Sequence, residues 1–264
     1  MPAARATLYA ATFAILVMAA CSLLIRPPPL VVSLLACIAY SALVLVGAMA
    51  LRLRMFVDAV VRGPKGARGF ALTFDDGPDP VSTPRVLDAL DACGVTGATF
   101  FVIARKAEQH ADLVREIVRR GHVIGLHSYA HDRLFALRSE RHVRADLTRG
   151  IEVLTSITGA RPTLFRPPIG HTNPTVARVA DDLDLVTVGW SVSARDGTAR
   201  ARAEGVVARV RGQLFDGAIV LMHDASERGT HAPVAPDAIR PIVEAGREAR
   251  MEPVALLPWV DALD

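Results

Sequence analysis

The chain has 264 residues, about half of them apolar, and a formal net charge of +3, which suits one large domain or two small ones. The charge is uneven: residues 1–68 hold seven basic residues (Arg5, Arg26, Arg52, Arg54, Arg62, Lys65 and Arg68) against one acid, Asp58, whereas the remainder holds 23 basic and 26 acidic residues. No basic stripe runs through the later part, so no nucleic-acid partner is expected, and three cysteines without a pattern (Cys21, Cys37, Cys93) suggest neither a disulfide framework nor a cysteine zinc site.

Two apolar runs, Thr7–Ile25 and Leu30–Leu51, flank the breaker Arg26-Pro27-Pro28-Pro29. Each is about 20 residues, the length a helix needs to cross a hydrocarbon core of roughly 30 Å. A two-helix anchor over residues 1–62 is therefore expected, with membrane lipid as a partner. The competing reading is a cleaved signal, because Met18-Ala19-Ala20-Cys21 loosely matches a lipoprotein cleavage site. The weak n-region and the immediate second run favour the anchor. Five basic residues follow the second run and only Arg26 lies in the turn. The positive-inside rule then puts the chain in the inner membrane with its large domain in the cytoplasm.

Residues 63–68, opening Gly63-Pro64-Lys65-Gly66, read as a linker. From residue 69 to 264, apolar runs and amphipathic segments alternate. Strands are predicted at Gly69–Asp75, Ala98–Ile103, His122–His127, Leu164–Arg166, Asp184–Ser191, Ala218–His223 and Met251–Leu256. Helices are predicted at Thr83–Ala92 and Glu108–Arg120, along the stripe Val143, Leu147, Ile151 and Leu154, from Pro174 onward, and near Ala203–Gln213 and Ala235–Arg247. Continuous apolar strands alternating with helices indicate an α/β fold with a parallel sheet, a barrel or a distorted one. Asp75, Asp76, His127, Arg166 and His223 all fall at or just after predicted strand ends, the rim that carries the active site in such barrels.

Two adjacent carboxylates, Asp75-Asp76, repel and call for compensation. His127 and His131 stand four apart and can face one metal with Asp76 as a third ligand, which leaves positions open as in a catalytic site. Asp75 then remains as general base towards water. Arg166 is a cationic partner for Asp75, and the rigid Pro167-Pro168 shelf presents the Ile169 N–H to a developing oxyanion. Asp196 orients His223, the candidate general acid for a leaving amine, and Leu221 walls a small pocket for a methyl group. Each piece also has a bland reading as a turn or a core histidine; the convergence of five segments argues against it. His171 either touches substrate or caps the following turn.

Taken in order, five motifs resemble those of the polysaccharide deacetylases with NodB homology, carbohydrate esterase family 4: Thr73-Phe74-Asp75-Asp76-Gly77-Pro78, His127-Ser128-Tyr129-Ala130-His131, Arg166-Pro167-Pro168-Ile169-Gly170, Ser193-Ala194-Arg195-Asp196-Gly197 and Leu221-Met222-His223. The resemblance covers Gly69 to Leu256. It implies a distorted (β/α) barrel and one divalent metal, usually zinc, on Asp76, His127 and His131. It further implies hydrolysis of the N-acetyl group of an amino sugar in a glycan, with Asp75 as base, His223 as acid, and Arg166 and Asp196 as their partners. Two motifs depart from the family pattern: Ile169 stands where the third usually has tyrosine, and the fourth, usually Asp-x-x-Asp-Trp, keeps Asp196 but has Ser193 at its first position and Gly197 at its last. Loss of these aromatics weakens the case for a long polymer and favours a smaller or lipid-linked amino sugar, deacetylated or deformylated. A non-catalytic sugar-binding module is the alternative from another class, and the oligomeric state is not readable.

Overall fold

The structure, a computed structural model, describes residues 1–227 and 231–262. Seven parallel strands form one sheet: β1 (Phe70–Asp75), β2 (Thr99–Val102), β3 (Val123–Leu126), β4 (Leu164–Phe165), β5 (Val186–Thr187), β6 (Val192–Ser193) and β7 (Ala218–His223), in the order β5-β4-β3-β2-β1-β7-β6. The sheet curls into a barrel that does not close by pairing β5 with β6. The chain around Val60 stands at that gap, where Val60 donates to the Thr187 carbonyl and accepts from Gly189 N–H.

Side-chain alternation divides the two layers. Phe70, Leu72 and Phe74 pack outward under the helices, with Val86, Leu90, Ile239 and Val243. Ala71, Phe101, Leu164 and Ile219 fill the barrel interior together with Leu256, Trp259 and Val260. Both faces of β1 are thus buried, which is why its sequence reads as an unbroken apolar run until the first carboxylate.

The predicted helix Glu108–Arg120 is two helices, α4 (Ala104–Gln109) and α5 (Ala111–Arg119), broken at His110. The predicted strand Met251–Leu256 is a single bridge, with Phe70 N–H on the Glu252 carbonyl and Val254 N–H on the Phe70 carbonyl; Pro253 has no N–H with which to extend a ladder. Asp184–Ser191 contributes only the two residues of β5, and the short β6 lies beyond it.

Towards the N-terminus, α1 (Ala3–Leu24) and α2 (Leu30–Met49) are each long and apolar enough to cross a membrane by length and composition. They pair, with the Thr12 and Tyr40 hydroxyls 2.9 Å apart. Residues 51–62, placed in the anchor on sequence grounds, pack on the barrel instead: Leu51, Val57 and Ala59 are buried against Ala177 and Trp190.

Candidate active site

Strand register builds the site. Asp75 pairs with His223 across β1 and β7, and Leu126 pairs with Phe165, so His127 and Arg166 emerge side by side one residue later. All of the predicted ionisable site residues except Asp196 and Arg166 line one cavity of about 180 Å³, bounded by Asp75, Asp76, His127, His131, Ile169, Gly170, Trp190, Leu221, His223 and Glu227. Arg166 and Asp196 are fully buried behind it.

The ligand atoms offered by Asp76, His127 and His131 lie within 4.8 Å of one another. Asp76 Oδ1 is 3.5 Å from His127 Nε2 and 3.3 Å from His131 Nε2, and it is buried without a hydrogen-bond partner. His127 Nδ1 sits 2.7 Å from the Arg166 carbonyl, a bond that requires the proton on Nδ1 and aims the Nε2 lone pair at Asp76. Burial pushes both imidazoles down to about 3, so they are neutral, as ligands must be. Burial also pushes Asp76 up to about 7, opposed by His223 and reinforced by Asp75. An orphaned carboxylate oxygen facing two neutral imidazoles fits a divalent cation.

Asp75 is held differently. Arg166 Nη1 donates to its Oδ1 at 2.7 Å and to Thr73 Oγ1 at 2.9 Å, while Nε and Nη2 donate to the carbonyls of Val188 and Gly189. The guanidinium carbon also lies 4.1 Å from the Phe101 ring centroid. A fully buried arginine is costly unless its donors are satisfied and a counter-ion is close; here both conditions hold, and Asp75 Oδ2 is left towards the cavity.

On the other side, Asp196 accepts twice from His223: from the backbone N–H at 2.8 Å and from Nδ1 at 2.9 Å. Burial alone would push this imidazole down, but the Asp196 bond and charge, with Asp75 and Asp76 beyond, outweigh it and raise His223 to about 9. Gly197 lies against the ring: a Cβ there would meet His223 Nδ1 at 2.9 Å and two ring carbons at 3.1 Å. No side chain fits at residue 197 unless the imidazole yields.

Backbone strain concentrates at this rim. Asp76, Ser128, His131, Ile169 and Arg195 all adopt positive φ, a region that non-glycine residues occupy at a cost of order 1–3 kcal/mol and that clusters at functional sites. For the β-branched Ile169 (φ 50°, ψ 13°) it is a marked departure. His171 is half-buried outside the cavity lining, and its N–H closes the turn on the Pro168 carbonyl.

Several supporting residues escape a motif-based reading. Asp146, on α6 (Glu140–Thr158), accepts from the backbone N–H groups of Tyr129 and Ala130 and clamps the loop between the two histidines. Lys106 Nζ donates to the carbonyls of Asp76 and Ser226. Asp224 lies buried under Gly77, where any Cβ would meet its carboxylate at 2.0 Å, and accepts from Thr83 Oγ1. Trp190 supplies the cavity with an aromatic wall, and Glu227 an acid at its mouth. Only the acid–apolar spacing of α6 could have pointed to Asp146, since Asp146 faces the same side as Val143 and Leu147.

Residues 62–188 match the family model described as polysaccharide deacetylase. A peptidoglycan-N-acetylglucosamine deacetylase of Bacillus cereus is 37% identical over 164 residues, covering 61% of this chain and 75% of that protein. The chain belongs to the polysaccharide deacetylase family. A chitooligosaccharide deacetylase of Sinorhizobium fredii is 34% identical, over 64% of this chain and 78% of that one. The chain spans 64% of a second Bacillus cereus deacetylase and a third of the Listeria monocytogenes enzymes it matches. Among solved structures of family 4, an acetyl xylan esterase from Clostridium thermocellum in complex with a cobalt ion superposes with a TM-score of 0.66 at 34% identity, over 73% of this chain and 90% of that chain. A family 4 pseudoenzyme from Bacillus anthracis superposes with a TM-score of 0.69 at 25% identity, over 79% of this chain and 71% of that chain.

Proposed function

We propose that this chain is a membrane-anchored, metal-dependent hydrolase that removes the N-acetyl group from an amino sugar. The observation that carries this reading is the pairing of Asp75 with His223 across adjacent strands, on one cavity with Asp76, His127 and His131. A divalent cation on those three residues, zinc by family resemblance, supplies Lewis acidity to the acyl oxygen and the attacking water.

The chain's own groups do the rest. Asp75, fixed by Arg166 through Oδ1, takes a proton from water through Oδ2, and the hydroxide adds to the acyl carbon. The Ile169 N–H donates to the oxyanion. The C–N bond then breaks as His223 gives its proton to the departing amine, leaving the carboxylic acid and a free amino sugar. Leu221, on the cavity wall and 6% exposed, excludes water from the methyl side.

A lipid-linked amino sugar, acetylated or formylated, suits the site better than a long polymer. The cavity is below the several hundred cubic ångström typical of ligand sites and holds little beyond one acylated unit. The two apolar helices supply the anchor, and the basic cluster after α2 supports a cytoplasmic domain. Hydrolysis of N-acetylated amino sugars, followed by mass spectrometry of soluble and lipid-linked glycans, tests the activity. Loss of turnover in Asp75→Asn with the metal retained is expected; full activity in that variant would refute the base assignment. Metal analysis should give about one divalent ion per chain, lost in His131→Ala. A chain that binds sugar but cleaves none would instead be a non-catalytic binding module.

A further inference from the structure

Five large apolar side chains beyond the end of α2 are exposed among the described residues: Val81, Val118, Leu134, Leu137 and Phe215. Three of them sit on loops leaving the C-terminal ends of β1 and β3, the rim that carries the site. Leu134 (53% exposed) and Leu137 (81% exposed) bracket a one-turn 3-10 helix, Phe135–Leu137. Such a helix has three residues per turn, so residues three apart project from the same edge. Phe135 meanwhile turns inward onto Phe165. The turn thus holds two leucines out together while its core side is fully packed, an arrangement with no evident return in a chain surrounded by water alone.

The same turn is tied to the end of the second apolar helix. Asn173 Nδ2 donates to the Ala136 carbonyl, and the adjacent Thr172 N–H donates to the Ala48 carbonyl in the last turn of α2 at 2.9 Å. Two hydrogen bonds and two peptide steps therefore separate Leu137 from the place where α2 ends. Thr172 itself follows Ile169 by three residues, at most about 11 Å of chain. Arg133, Arg138 and Arg141 flank the leucines, Arg133 beside Glu227 and Arg138 on Asp132, so the apolar tip sits in a ring of mixed charge whose arginines can reach lipid phosphates.

We infer that the catalytic rim is a bilayer-contacting surface, with Leu134 and Leu137 seated in the lipid interface, so that the site opens onto substrate carried in the membrane that anchors the chain. The occupant is the lipid interface itself, because the tip is continuous with the base of the anchor. The inference rests on the proposed anchor and activity, and it narrows the substrate class to acylated amino sugars on a lipid carrier.

The experiment uses the full chain in nanodiscs of mixed zwitterionic and anionic phospholipid, with Cys21, Cys37 and Cys93 replaced by alanine. Single cysteines in Leu134→Cys, Leu137→Cys and, as the control on the opposite end, Phe215→Cys carry an environment-sensitive fluorophore. Lipids with a nitroxide near the headgroup should cause a roughly twofold loss of emission at 134 and 137 and none at 215, as insertion by several ångström requires. Bound metal in each labelled chain reports that the rim is folded. Solvent-like, unquenched emission at 134 and 137 in a metal-loaded chain overturns the inference. An N-acetylated amino sugar on a polyprenyl carrier in the same nanodisc should be cleaved with kcat/KM at least about tenfold above the free sugar, through effective concentration; equal values remove the substrate class. Quenching is read without turnover, so hydrolysis without quenching sinks the surface and spares the activity, and quenching without hydrolysis of any substrate does the reverse.

Discussion

Replacing Asp196 with asparagine changes one atom and separates charge from shape. Asp196 receives two donors, His223 N–H and Nδ1–H, on its two oxygens. Asparagine offers one acceptor and one NH₂, so one of these donors faces another donor. The charge that outweighs burial is lost as well. His223 should therefore fall from about 9 to the ordinary imidazole value of 6.5 or below, since burial alone lowers it. At pH 8 a group of pKa 9 is roughly 90% protonated and one of pKa 6.5 roughly 3%, so a step that needs imidazolium should slow by about 30-fold. At pH 6 the same comparison sets nearly complete protonation against roughly three quarters, so the two proteins should differ by less than about twofold. The assay is the pH profile of kcat/KM, whose alkaline limb should move down by about 2.5 units in Asp196→Asn. Coincident alkaline limbs in the two proteins would show that His223 is not the proton donor. The shift also has a stability sign. His223 is raised above its unfolded value, so its contribution is complete below pH 6.5 and is lost as pH rises through about 9.

Three further outcomes follow from the packing. Arg166→Met leaves Asp75 buried without its cation and should cost about 3–5 kcal/mol in denaturant unfolding; a loss under about 1 kcal/mol would mean that water replaces the guanidinium. Asp146→Asn releases one of the two backbone donors that hold the loop between His127 and His131. It should weaken divalent-metal affinity by about tenfold or more, read by competition with a chelator, with global stability changed far less. Gly197→Ala pushes a methyl group to 2.9 Å from His223 Nδ1 and should lower kcat while leaving metal content intact; an unchanged kcat would show that the ring has room to yield.

What the sequence makes legible follows from where each constraint is local. The strands β1 and β7 are buried on both faces and end at candidate site residues, so Asp75, Asp76 and His223 announce both element and site. Arg166 is legible as a partner because its prolines fix the turn after it, and the structure adds Thr73 and two carbonyls as the groups that make its burial tolerable. Constraints set by distant contacts are not legible. The segment around Val60 reads as the tail of an anchor, yet its backbone occupies the gap between β5 and β6, a role that only the unfinished sheet defines. Pro253 interrupts what hydropathy alone presents as a seventh and last strand. Gly197 reads as a lost aromatic and nothing more; in the fold a Cβ at this position would press on the imidazole of His223, and Trp190, six residues before Asp196 on the preceding strand connection, brings a different aromatic to the same cavity. The departure from the family pattern at residue 197 therefore bears on the surroundings of His223 as well as on the number of aromatics. Restoring tryptophan there would crowd the His223 ring, so Gly197→Trp alone is not expected to rebuild a polymer subsite.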